Sequence, residues 1–355
     1  MMKPVLFETH KAAQDKVITV IKLNAPDSLN ALTLEMIDLI QGHLDAVREN
    51  DRVVAVVLDS VIDKAFCAGG DVVGIVEAVK QGNTQLPQDF FRREYRLDLD
   101  IHHYPKPIIC LANGIVMGGG MGLMNGCSHR VVTDTTYMSM PEISIGLFPD
   151  VGASWFLNRV PKRIGLFLGI TAAPMNAADA LYLGLADFMI SSTLKQEVLE
   201  LLISADWDLP AHNTVDVVLR NLQSRSREQC RAIESRVSQH KTFIDLVTDK
   251  NSISDIVEAI IDFQTDDPWL NRIRDNLLYG SPLSMCLIYC QLHRAFHMSL
   301  EEAFEFEYGL ALACCEHREF SEGVRALLID KDRQPEWTYK SIREVNEQVV
   351  GAFFA

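Results

Sequence analysis

Two glycine-rich turns and two carboxylates are the residues of this chain whose types and spacing could do chemistry. The first turn is Phe66-Cys67-Ala68-Gly69-Gly70-Asp71, and the second runs from Asn113 through Gly114 to Gly118-Gly119-Gly120. Each follows an apolar run of strand character, Val53 to Leu58 and Ile108 to Ala112. Glycine lacks a side chain, so a ligand atom can approach the backbone amides closely. Two such turns at the ends of parallel strands can aim two N–H groups at one point. That geometry holds an oxyanion, and a helix starting after Gly120 would add its dipole. Taken singly, either turn is better explained by the need for a tight bend. The carboxylates, Glu142 and Asp150, stand in the otherwise apolar stretch Pro141 to Asp150. Burying an unpaired charge is costly, so carboxylates in such surroundings are either paired or functional. For Asp150 alone, the better reading is an N-cap for a helix near Gly152 to Asn158.

Other catalytic patterns fail. Gly118 and Gly120 begin a G-x-G-x-x-G, but position 123 is Leu, and no P-loop lysine follows. There is no G-x-S-x-G elbow and no H-E-x-x-H. His293 and His297, four apart, read as ordinary helix residues, so no metal is expected. His102 and His103 precede Pro105, where a strand entry is expected. Lys331, between Asp330 and Asp332, could reach a phosphate or be solvated.

The elements that must position these groups alternate between strand and helix. Val17 to Leu23 is β-branched, as is Val53 to Leu58, which is apolar on both faces like a buried parallel strand. Thr33 is placed to cap a helix whose Ile37, Ile40, Leu44 and Val47 recur at helical spacing. Ile108 to Ala112 and Arg130 to Thr133 are further strands, which makes an α/β fold. Gln81 to Asp89, with Gly82 and Pro87, reads as a loop. From Lys195 onward helical patterns dominate, as in Ser299 to Ala313, where Ser299 and Glu302 form a capping box. The division is therefore expected near residue 200, with 1–200 as the α/β part and 201–355 as a helical region.

The 355 residues are 48% apolar and 23% charged, enough to bury a core without staples. A net charge of −15 argues against nucleic acid as a partner, although a few local Lys and Arg residues can still hold an anionic ligand. The eight cysteines contain no C-x-x-C and read as free thiols of a reducing compartment. Pro107 to His129 lacks formal charge, but its six glycines fit a strand, a turn and a buried helix rather than a membrane span. Met1 to Lys11 has neither a signal core nor an Arg-rich character, and Gly351 to Ala355 is no peroxisomal address, so a cytoplasmic location is expected.

Taken together, FCAGGD (66–71), NGIVMGGGMGL (113–123) and MPEISIGLFPDVGASWFL (140–157) resemble the crotonase, or enoyl-CoA hydratase/isomerase, superfamily. FFRREY (90–95) and EGVRALLIDKD (322–332) are similar to its 3-hydroxyisobutyryl-CoA hydrolase branch. The resemblance implies a ββα-spiral core with a C-terminal helical region completing an acyl-CoA site. It implies that the Gly70 and Gly119 amides hold a thioester carbonyl and that Ala68 lines an adenine pocket. Glu142 falls at the catalytic glutamate, Asp150 at an acidic residue contacting substrate, and Glu94 at a further substrate-site glutamate. Hydratases carry a second glutamate where this chain has Gly122. The implied activity is hydrolysis of a 3-hydroxyacyl-CoA, with hydration or isomerisation on the same scaffold, or non-catalytic acyl-CoA binding, as alternatives. Coenzyme A is then part of the substrate, with no separate cofactor, and the superfamily's trimers leave a homo-oligomer open.

Overall fold

The β-branched runs become strands at the expected places. In a computed structural model, which describes residues 3–355, these are β2 (Val17–Leu23), β3 (Val53–Ser60), β5 (Ile108–Ala112) and β7 (His129–Thr133). With β1 (Val5–Lys11) and β10 (Phe188–Ile190) they form a six-stranded sheet ordered β1-β2-β3-β5-β7-β10. The β1–β2 pair is antiparallel and the other pairs are parallel. A second sheet collects four short strands in the order β4-β6-β8-β9: β4 (Ala65–Cys67), β6 (Ile115–Met117), β8 (Tyr137–Ser139) and β9 (Met175–Asn176).

The chain thus visits the large sheet, then the small one, then a helix. β3 and β4 lead to α2 (Val72–Lys80) and α3 (Gln85–His102), and β5 and β6 lead to α4 (Gly119–Gly126). This is the expected ββα spiral. The uncharged stretch from Pro107 resolves into β5, β6 and α4, and no helix of the described residues is long and apolar enough to cross a membrane. Helix α1 (Leu34–Arg48) is capped by Thr33, which accepts from the Met36 N–H at 3.2 Å, and it buries Ile37, Ile40 and Leu44.

Beyond β8 come α5 (Ala153–Phe156), α6 (Ile164–Thr171), α7 (Ala177–Leu183), α8 (Lys195–Ser204) and α9 (Ala211–Cys230). Then follow α10 (Arg236–Gln239), α11 (Lys241–Thr248), α12 (Ile253–Ile261), α13 (Pro268–Tyr279), α14 (Pro282–Arg294), α15 (Leu300–Glu316), α16 (Arg318–Val324) and α17 (Glu347–Ala352). The expected capping box of Ser299 and Glu302 starts α15.

Two expectations shift. Gln81 to Asp89 is not all loop, because α3 starts at Gln85, with the Asn83 side chain accepting from the Gln85 and Leu86 amides. Pro87 sits in the first turn, where its missing N–H has no intrahelical partner to lose. The boundary near residue 200 does not coincide with the division by contacts. One compact unit comprises the chain up to Gly70, Arg96–Met138 and Met175–Ser238; the other comprises Asp71–Tyr95, Ser139–Pro174 and Gln239–Ala355. Helices α8 and α9 belong with the strands because Val198, Leu202, Val215, Leu219 and Leu222 bury against Ile18, Val57, Ile109 and Val131.

Candidate active site

The candidate amides lie in the first unit. β4 and β6 are parallel neighbours, with Cys67 opposite Val116, so the two glycine turns leave adjacent strand ends. Leu32 bridges to Gly70 in parallel, its N–H donating to the Gly69 carbonyl at 2.8 Å. N–H groups alternate sides along an extended chain, so the Gly70 N–H points away from Leu32. Gly118 caps α4, and its carbonyl accepts from the Met121 and Gly122 N–H groups. The Gly119 and Gly120 amides are first-turn donors with no acceptor inside the helix. A Cβ on Gly120 would lie 2.4 Å from the Cys67 carbonyl oxygen, so only glycine lets α4 start against the end of β4. Ala68 is half-buried and its N–H donates to the Leu29 carbonyl at 3.1 Å.

The candidate carboxylates lie in the second unit. Glu142 opens a one-turn 3-10 helix, Glu142–Ile145, which ends at Gly146 with φ 70°. A side chain on Gly146 would strike the Glu319 carbonyl of α16 at 2.3 Å, so glycine is required for α16 to press on this turn. The Ser281 N–H also fixes it by donating to the Ile143 carbonyl at 2.9 Å. Glu142 itself is 4% exposed, and its Oε2 has no hydrogen-bond partner. Burial, and then the Asp150 charge, push its carboxyl well above the usual range.

Asp150 is 6% exposed, and its Oδ2 accepts from the Tyr95 hydroxyl at 2.7 Å. Burial raises its pKa to about 6, against the lowering effect of the Tyr95 hydrogen bond. The Tyr95 hydroxyl is held well above its ordinary pKa by burial and by the charges of Asp150, Glu307 and Glu94, so it stays a donor. Glu94, its neighbour on α3, is buried. The structure thus brings Glu94, Glu142 and Asp150 into one electrostatic neighbourhood.

The helix-cap reading of Asp150 is corrected. Gly152 is the N-cap of α5, and no Asp150 side-chain oxygen bonds the helix amides. That task falls to Glu307 of α15, which accepts from the Gly152 and Ser154 N–H groups, each at 2.7 Å. The turn needs holding because Val151, β-branched and buried, has φ 53°. A non-glycine residue in that region costs about 1–3 kcal/mol.

Tyr95 and Glu307, which bond Asp150 and its turn, are the residues that sequence reasoning missed. Tyr95 lay within FFRREY, beside Glu94. Glu307 could have been found from periodicity, since it follows Leu300, Ala303 and Phe304 and precedes Leu310, Ala311 and Cys314 on one stripe. A carboxylate in such a stripe needs a partner.

A profile of the enoyl-CoA hydratase/isomerase family matches residues 18–354. The chain belongs to the enoyl-CoA hydratase/isomerase family. Among its relatives, the mitochondrial 3-hydroxyisobutyryl-CoA hydrolase of Danio rerio is 39% identical over 99% of this chain and 89% of its own length. The mitochondrial 3-hydroxyisobutyryl-CoA hydrolase of Homo sapiens is 34% identical over 94% and 85%. The family's structure of a carnitinyl-CoA dehydratase from Mycobacterium thermoresistibile superposes with a TM-score of 0.88 at 32% identity, covering 100% of this chain and 97% of that one. These findings establish the crotonase-type fold. They correct the cytoplasmic expectation, since the family members named as hydrolases are mitochondrial.

Proposed function

We propose that the chain is an acyl-CoA thioester hydrolase that cleaves 3-hydroxyisobutyryl-CoA to 3-hydroxyisobutyrate and CoA, a step of valine breakdown. The names of its relatives support this. The observation that carries the choice of substrate is the Asp150 carboxylate. The residue is buried, Tyr95 donates to its Oδ2, and its only other bond is to backbone, so no second side chain competes for the carboxylate. A buried carboxylate has lone pairs to spare for a further donor, and a 3-hydroxyl supplies one.

In the proposed reaction the Gly70 and Gly119 amides polarise the thioester carbonyl and stabilise the tetrahedral oxyanion. Glu142 drives attack on the carbonyl carbon, either as nucleophile through an acyl anhydride that water then opens, or as base for water. CoA leaves as the thiolate and takes up the proton. Asp150 orients the substrate through its 3-hydroxyl. Glu94 lines the acyl end, the Ala68 carbonyl meets the adenine, and the C-terminal helices complete the acyl-CoA site.

Thiol release from 3-hydroxyisobutyryl-CoA and isobutyryl-CoA tests this reading. A site built around a substrate hydroxyl rejects the analogue lacking it, so kcat/KM should favour the hydroxy substrate by ~10-fold or more. Asp150→Ala should collapse that ratio, and an unchanged ratio would refute the substrate assignment. Hydration of crotonyl-CoA at a rate matching hydrolysis would favour the hydratase alternative instead.

A further inference from the structure

Asp150 is carried by a turn that its own sequence does not stabilise. Val151 is left-handed, Gly152 follows with φ 87°, and the short helix after them has no side-chain cap from its own chain segment. The turn is held from α14 and α15. The Gln291 amide donates to the Pro149 carbonyl at 2.6 Å and to the Ser154 hydroxyl at 2.8 Å. Glu307 uses both carboxylate oxygens, one on the Gly152 N–H and one on the Ser154 N–H.

One turn before Glu307, Phe304 packs against the ring of Tyr95 with centroids 5.8 Å apart. It also lies 3.1 Å from where a Gly152 Cβ would stand. Helix α15 therefore touches both the turn that carries Asp150 and the tyrosine that occupies its Oδ2.

A fully buried carboxylate is an expensive way to tie down a loop. Burial raises the Glu307 pKa to about 8, against the lowering effect of its two backbone hydrogen bonds, and the Asp150 charge adds to the rise. A neutral side chain would avoid both the desolvation and the repulsion. An amide would hold the pair less well, because the two N–H groups bond separate oxygens of Glu307 and an amide turns its NH2 toward one of them, while a hydroxyl lacks the reach. The requirement is thus geometric: two amides at the start of α5 are fixed to one rigid helix.

We propose that Glu307 is a positioning residue for substrate selection: by holding the Gly152 and Ser154 amides it fixes the Asp150 carboxylate with its second oxygen toward the acyl chain, and so sets the preference for a 3-hydroxyl. This rests on the reading that Asp150 receives that hydroxyl. Glu307 touches no substrate itself. Its effect is on the angle and reach of Asp150, where a misplacement of about 1 Å is enough to lose a directional contact.

The test measures kcat and KM for 3-hydroxyisobutyryl-CoA and isobutyryl-CoA on the full chain, on Glu307→Gln, on Asp150→Ala and on the double variant. Glu307→Gln keeps the volume but turns an amide NH2 toward one of the two donors. The preference for the hydroxy substrate should fall from ~10-fold or more to within ~3-fold, chiefly through a higher KM for that substrate, while isobutyryl-CoA turnover stays within ~3-fold. On the Asp150→Ala background the same change should leave the ratio where it is, because both substitutions remove one interaction. A merely structural Glu307 predicts a lower melting temperature with both substrates slowed alike, and that result overturns the proposal. If the Gln variant does not fold, Glu307→Asp takes its place: one methylene shorter, it cannot span both amides, and it too should lower the ratio. An unchanged ratio in whichever variant folds refutes the role of Glu307. If Asp150→Ala itself leaves the ratio intact, the substrate reading has failed instead, so the two failures are told apart.

Discussion

The two sets of candidate residues, an amide half and a carboxylate half, are made in opposite ways. The amide half uses backbone alone: two short parallel strands, two glycine turns and the unbonded first turn of α4. Its partial charges are permanent and carry no proton. The carboxylate half uses side chains that burial makes expensive, drawn from α3, the turns around Glu142 and Asp150, and α15. Each of those groups lies above its ordinary pKa. The amides should therefore respond to shape and be indifferent to pH, and the carboxylates should respond to both.

Breaking the carboxylate half gives the largest effect. Glu142→Gln should slow thioester hydrolysis by ~100-fold or more, the usual share of a positioned acid–base group, while acyl-CoA binding persists through the amides. Parallel kinetics and equilibrium binding check this, and near-normal turnover would remove Glu142 from the mechanism.

Breaking the amide half without touching a titratable group is the matching experiment. Gly120→Ala forces a methyl against the Cys67 carbonyl, so α4 and β4 must separate. Loss of an aligned oxyanion donor costs ~100-fold in kcat, and the loss should be the same at every pH. A loss that varied with pH would mean that the amides do not act as the pH-indifferent half.

The third measurement sharpens the contrast. A carboxylate whose pKa is raised in the fold is active above that pKa and is lost as pH falls through it. With Asp150 at about 6 and Glu142 also raised, the acidic limb of kcat/KM should lie well above the ordinary carboxylate range. Asp150→Asn removes a charge that raises Glu142, so the limb measured on isobutyryl-CoA should move to lower pH. A limb that stayed in place would separate the two carboxylates.

The smallest expected effect is none. Both halves work through amides and carboxylates, so exhaustive dialysis against a chelator should leave hydrolysis unchanged. Activity lost on chelation and restored by zinc or manganese would overturn the reading of both halves.

The amide half was the more legible in sequence. Glycine turns after β-branched runs are local features, and the strands, the first helix with its Thr33 cap and the capping box at Ser299 were readable from neighbours a few residues apart. The small sheet was not, because strands of two or three residues carry no periodicity. Glu142 and Asp150 were visible as carboxylates in apolar company, but their partners were not.

What the sequence by itself determined was the alternation of strand and helix, the glycines at the turns and the candidate carboxylates, because those follow from side-chain chemistry within one stretch of chain. Only the tertiary structure decided that Tyr95 bonds Asp150 across 55 residues, and that Glu307, 155 residues from Gly152, caps the turn in its place. It also decided which carboxyls are pushed up, since a pKa is set by burial and by the charges that folding brings near. The local pattern around Asp150 favoured a helix cap, and it was overruled because a distant carboxylate bonds those amides.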